Sequence, residues 1–193
     1  PHVIQCILRE NGKKELSNDG QLYTQLSAHI GKYPVVMITP DDTQLITEGS
    51  EDRRKFLDIL ISQLDADYMQ ALMKYNKILQ QRNALLKKWN ESPNVDDAVL
   101  DILDRQLHET GSVVFETRKH YTTLLRQKTN DIYHRISDEK EDIGIAYQSK
   151  LHEQPLYALL QQNRQKDIYS QRSNYGIHKD DLVFTLHGMP LKT

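Results

Sequence analysis

A single cysteine, Cys6, among 193 residues excludes an internal disulfide and any Cys-x-x-Cys metal site. Cys6 itself reads as a small buried hydrophobe in a reducing cytoplasm. No long uncharged apolar run and no signal-peptide pattern occur, so nothing in the sequence reads as membrane-spanning or exported. Charge of one sign is missing too. With 25 Lys and Arg against 27 Asp and Glu the formal net charge is -2, so any nucleic-acid contact must come from a local patch and not from bulk charge. The Gly-x-x-x-x-Gly-Lys-Ser/Thr loop is absent. No acidic residue closes a four-residue apolar run as a second metal-binding strand, so the chain taken alone is not expected to hydrolyse a nucleoside triphosphate. Beginning at Pro1 without a methionine, it reads as an excised portion of a longer polypeptide.

What is present points to long helices. A mean hydropathy of -0.67 with 27% charged residues suits helices with large exposed faces better than a compact globule. Asn11-Gly12 between two apolar runs is a hairpin signal, and Asn18-Asp19-Gly20 marks a second turn. Leu22, Leu26 and Ile30 suggest a short helix ending near Gly31. Pro34-Val35-Val36-Met37-Ile38 reads as a strand buried on both faces, leaving into the polar turn Thr39-Pro40-Asp41-Asp42. Ser50 is the expected N-cap of the next helix, with Glu51 and Asp52 in its first turn. Its apolar face is Phe56, Leu57, Leu60, Ile61 and Leu64.

After a cap at Asp65, the residues Tyr68, Leu72, Tyr75, Leu79, Arg82 and Leu86 step by four and three, a heptad seam with one charged member. Trp89 to Asn94, with Pro93, breaks it. Leu100, Leu107, Val114 and Tyr121 then recur every seven residues, joined by Leu103, Leu125 and Ile132. Two such seams across a short break predict an antiparallel helical hairpin. Ile143 to Tyr147 alternates as a strand, Pro155 opens a helix with Leu156, Leu159 and Leu160, and Leu182 to Leu186 is a further strand. The fold class is α+β, a long hairpin arm inserted into a partial sheet. The expected divisions are 1–49 for part of a sheet-bearing head, 50–172 for the helical arm and 173–193 for the returning strands.

Several blocks resemble the bacterial RecF family, relatives of the SMC and ABC-type ATPases. They are Thr39-Pro40-Asp41-Asp42, Gly49 to Arg54, Phe56-Leu57-Asp58, Tyr75-Asn76-Lys77, Gln81 to Lys87, Tyr147-Gln148-Ser149 and Gly176 to Leu182. Their order and approximate spacing match the family across most of the chain. The resemblance implies an ABC-type head carrying a coiled-coil-like arm, with the phosphate loop upstream of Pro1 and a Ser-Gln-Gly-Gln signature beyond Thr193. It further implies a parent that binds ATP and Mg²⁺, forms an ATP-dependent homodimer, and binds DNA at single-/double-strand junctions. That parent assists recombinase loading with RecO and RecR, in the cytoplasm. No cofactor is expected on this chain by itself, and no membrane.

The resemblance also assigns candidate residues. Thr39 stands where SMC-type relatives carry the Q-loop glutamine; with no glutamine there, Asp41 is the candidate metal ligand and Thr39, Asp41 and His178 are the candidate nucleotide contacts. Asp41 and Asp42 equally make an Asx-type turn. Gly176-Ile177-His178-Lys179 departs from the family's Pro-His-Arg, keeping the charge and losing the guanidinium fork. Arg53, Arg54, Lys77, Arg82, Lys87 and Lys179 are candidate DNA contacts, with Arg118 among further cations on the second arm. The competing readings are a solvated helix face for these cations and a buried register-setting role for Arg82. Two other function classes stay open: a self-contained helical-hairpin interaction module using its tip near Ser92-Pro93, and an enzyme built on His178 with Asp180 or Asp181.

Overall fold

The computed structural model describes residues 2–91, 97–138 and 141–191. Strand β1 (Ile4–Leu8) pairs antiparallel with β2 (Lys14–Asn18) through the Asn11-Gly12 turn, and β2 with β3 (Gln21–Leu22). Asp19 and Gly20 both take positive φ, the two-residue hairpin geometry that right-twisted strands prefer. A 3-10 turn at Leu26–His29 replaces the expected short helix, and Gly31 follows at φ +81.

The strand expected at Val35 to Ile38 is not formed. That stretch has no regular structure, and its four side chains are 70 to 89% exposed. A strand buried on both faces needs a ladder on each side and a layer on each face, and among the described residues nothing pairs with this one. Cys6 is likewise exposed, contrary to its reading as a buried residue, because among the described residues nothing packs over the β1–β2 hairpin there.

From Gly49 onward the chain packs densely. After α1 (Gln44–Thr47), helix α2 (Ser50–Leu64) starts with Gly49, not Ser50, at its N-cap. It buries Leu57 and Ile61, whereas Leu64 is exposed. Asp65 does cap α3 (Ala66–Glu91): its Oδ1 accepts the Tyr68 backbone N–H at 2.8 Å. Helix α4 (Asp97–Ile136) runs back along α3. The register proves the direction, since Tyr68, Tyr75 and Arg82 of α3 meet Arg118, Gly111 and Asp104 of α4, seven forward against seven back. Residues 92–96, which include the expected break and tip, lie outside the described residues.

At 1.5 Å rise per residue α4 extends roughly 20 Å past α3. Its far half has Ile132 and Ile136 exposed and is met by β4 (Ile143–Gln148), where Asn130 Oδ1 accepts the Ile143 N–H at 3.2 Å. Strand β4 pairs antiparallel with β5 (Asp181–Leu186), and β5 with β6 (Met189–Pro190). Between β4 and β5 lie α5 (Leu156–Gln162) and α6 (Arg164–Ser170). One core unites α2, α3, α4, α5 and the β4–β5 pair: Leu57, Ile61, Tyr68, Tyr75, Leu107, Val114, Ile145, Leu156, Leu160, Ile177 and Leu182 are all buried. Each leucine or isoleucine so buried contributes about 1.5–3 kcal/mol. No described helix is long and apolar enough to cross a membrane.

Candidate functional site at the root of the helical arm

The hairpin seam is apolar on one side and polar on the other. Every seventh residue of α4 from Asp104, namely Asp104, Gly111 and Arg118, is buried, and each faces a buried residue of α3. The segment 173–181 lies across this polar row and supplies a third wall. Three tiers result.

In the first tier, Arg118 of α4 is 2% exposed. Its Nε and Nη2 donate to Asp58 Oδ1 of α2 at 3.1 and 2.8 Å, its Nη1 donates to the Ile177 carbonyl at 2.8 Å, and Asp180 Oδ2 lies 3.7 Å away. The Tyr68 hydroxyl donates to Asp58 and accepts from Arg118 Nε at 3.1 Å. Tyr147 of β4 donates to Asp180. Burial pushes the Tyr68 and Tyr147 phenols up, so both remain donors, and burial also raises the Asp180 carboxyl above its ordinary value.

In the second tier, His178 Nε2 lies 3.1 Å from the Ser173 carbonyl, which can only accept, so this nitrogen carries the proton. Its Nδ1 then accepts from the Tyr75 hydroxyl at 2.8 Å. Burial lowers His178 to about 4, and it is neutral at physiological pH. Both neighbouring glycines are required by contact: a Cβ on Gly111 would stand 3.1 Å from the Tyr75 ring, and one on Gly176, where φ is +135, would stand 2.3 Å from the Tyr75 hydroxyl.

The third tier centres on Arg82, which is fully buried. Its Nε donates to Asp104 at 2.6 Å, and Nη1 donates to Asp167 at 2.7 Å and to Ser173 Oγ at 2.8 Å. Asn83 accepts the Ser173 N–H at 2.8 Å, and Arg164 donates to Asp104 at 3.0 Å. Two carboxylates, Asp104 and Asp167, are balanced here by two guanidinium groups, Arg82 and Arg164, which makes the buried charge tolerable.

The predicted site residues separate accordingly. Arg82 is removed from any DNA surface by its burial, and so is Arg118; both belong to the internal network. Arg53 forks onto Asp181 at 2.7 and 3.1 Å, and Arg54 donates to the Asp180 carbonyl at 2.6 Å. Lys77, Lys87 and Lys179 are exposed. Thr39 and Asp41 stand apart from His178: Thr39 donates from its backbone to Asp42 at 2.7 Å in a 3-10 turn, Pro40–Thr43, and Asp41 faces solvent. Among the described residues no three His, Cys, Asp or Glu side chains gather as a cation site, so Asp41 offers one carboxylate and no more. His178, with Arg54, Lys55, Ile59 and Arg118, lines a cleft of about 700 Å³ between α2 and the 29–33 loop.

Asp167 and Ser173 were not singled out from sequence, and Asp58 only as part of the Phe56-Leu57-Asp58 block, with no role assigned. A signal for the polar row existed: Asp104, Gly111 and Arg118 repeat at heptad spacing beside the apolar seam, and such a repeat marks a buried polar face.

The sequence and the fold as a whole have known relatives. The DNA replication and repair protein RecF of Flavobacterium johnsoniae is 42% identical over 189 residues, 98% of this chain and 53% of that protein. From end to end the sequence is RecF-like. RecF of Phocaeicola vulgatus is 36% identical over 192 residues, covering all of this chain and 51% of that protein. Two solved structures, described as the recombination mediator protein RecF with ATP and with ATPrS in the RecFOR pathway, superpose with TM-scores of 0.91 and 0.90. Each is 28% identical and covers 98% of this chain and 53% of the solved one. The chain therefore spans about half the length of the RecF proteins it matches. No family model matches it.

Proposed function

We propose that this chain is the arm-bearing part of a RecF-type recombination mediator acting in DNA replication and repair. The observation that carries the reading is the agreement of fold and sequence over the whole chain, 98% coverage both at 42% identity and at a TM-score of 0.91. The parent binds ATP and Mg²⁺ in an ABC-type head, pairs with a second copy around the nucleotide, engages DNA at single-/double-strand junctions, and acts with RecO and RecR. This chain's share of the nucleotide site is the Thr39 to Asp42 turn, with Asp41 as an oxygen ligand and His178 shaping the segment that leads into β5. Its divisions are the head strands in 1–49, the arm in 50–172 and the return in 173–193.

The exposed run Val35 to Ile38 supports this reading. Its apolar, β-branched composition together with 70 to 89% exposure is what a central strand shows when its neighbouring strands are contributed by the rest of a larger sheet. The exposed Lys77, Lys87 and Lys179 supply phosphate-neutralising charge at the surface, whereas Arg53 and Arg54 are engaged with Asp181 and the Asp180 carbonyl. The hairpin acts as lever and clamp wall, held to β5 by the buried tiers.

A salt-dependent DNA titration of the full-length parent, with and without ATP and beside this chain alone, tests the reading. The expected result is tight DNA binding confined to the ATP-bound parent. A parent that binds neither ATP nor DNA overturns it.

A further inference from the structure

Helix α2 and the 177–181 segment are far apart in sequence, yet three arginines join them. Arg53 and Arg54 reach from α2 to the Asp181 carboxylate and the Asp180 carbonyl. The third, Arg118, comes from neither partner. It projects from α4 and holds Asp58 of α2 with one edge of its guanidinium and the Ile177 carbonyl with the other. Its planar fork spans the two elements simultaneously, which an ammonium on the same stem cannot do.

We infer that Arg118 is a positioning residue that locks α2, the arm helix α4 and the turn before β5 into one body, and that the parent's ATP response is transmitted to DNA binding through this lock. The inference deepens the proposed function and rests on it. Helix α2 begins a few residues beyond the Thr39 to Asp42 turn, and β5 begins at the residue after Asp180, so a displacement at either place is passed to the other and to the arm through one side chain. Arg118 is buried at the back of the cleft, and its guanidinium is committed to Asp58, Tyr68 and the Ile177 carbonyl, which makes it a coupler between elements. Asp58 is the partner best placed to read the lock from α2, since it takes both the Arg118 fork and the Tyr68 hydroxyl.

The test uses the full-length parent carrying Arg118→Met, Arg118→Lys or Asp58→Asn, each measured for ATP affinity and for DNA affinity with and without ATP. ATP affinity is expected to stay within about twofold. The ATP-induced gain in DNA affinity is expected to fall about tenfold or more in R118M, a coupling of the size carried between sites in other allosteric proteins, less in D58N, and to be partly restored in R118K. Arg53→Gln, which cuts a half-buried link between the same elements, is the second variant should R118M not fold, and its expected loss is in the same direction and smaller. A gain that persists in R118M, or in R53Q when R118M is unfolded, overturns the inference alone. A wild-type parent whose DNA affinity ignores ATP overturns the functional reading and this inference together.

Discussion

The residues up to Gly49 and those from Ser50 onward obey different rules. Before Gly49 the described residues contain one buried side chain, Ser17, while Val3, Leu8, Leu22, Leu26, Ile30 and Val35 to Ile38 are open to solvent. After it, two arginines, three aspartates and seventeen apolar side chains are buried among the described residues. The strands of the first region satisfy their hydrogen bonds within a hairpin and lack a layer to pack on. The second region meets both demands largely internally, because two helices and a returning segment bring partners to most of its buried charged groups, although Arg82 Nη2 and Arg164 Nε are left without one. Local turn chemistry is therefore enough to shape β1 to β3, and packing is what makes the arm root rigid.

The largest expected effect breaks the second region at its centre. Replacing Arg82 with Met leaves Asp167 as a buried charge without its cation and Asp104 with Arg164 alone, and should cost about 3–5 kcal/mol in urea denaturation; a loss under about 1 kcal/mol would mean that the two carboxylates are satisfied by their remaining partners. Gly176→Ala meets the Tyr75 hydroxyl in a left-handed backbone position, with an expected cost of about 1–3 kcal/mol and displacement of the Tyr75–His178 hydrogen bond.

The pH dependence has a definite sign. His178 is depressed from 6.5 to about 4, so the unfolded chain binds its proton first. The stability it contributes is present above pH 6.5 and lost as pH falls toward 4, on the order of 3 kcal/mol in all. Asp180, raised by burial, acts oppositely at the acid end, so the diagnostic is the difference between wild type and His178→Gln across pH 4 to 7. Equal acid slopes in the two proteins would remove His178 from the account.

The smallest expected effect is the one that sharpens the comparison. Val36→Asp and Ile38→Asp should change the stability of this chain by less than about 0.5 kcal/mol, since both positions are more than 85% exposed. In the full-length parent the same changes should be strongly destabilising if the segment is a sheet strand there. Equal tolerance in both proteins would show that it is not.

Much of the architecture was legible from residues in order. Asn11-Gly12, Asp65, Pro155 and the seven-residue recurrences located the hairpin, the α3 cap, α5 and the arm, because each is a local preference that tertiary contact reinforces. Val35 to Ile38 was misread for a physical reason: composition reports what a segment could bury, and burial needs a partner. The site was less legible. Arg82 and Arg118 look like surface cations when counted as charges, and Asp58 and Asp167 carry no signal of their own. Ser173 has none either.

By itself the sequence determined where helices start, how two of them recur in heptads, and that the α3 seam admits one charged residue, Arg82. Only the folded chain decided which charges meet, because Asp58, Arg118 and Ile177 come from three separate stretches and are neighbours only once α4 has turned back along α3. Periodicity sets the face a residue occupies, and the partner that neutralises it comes from whichever element packs against that face.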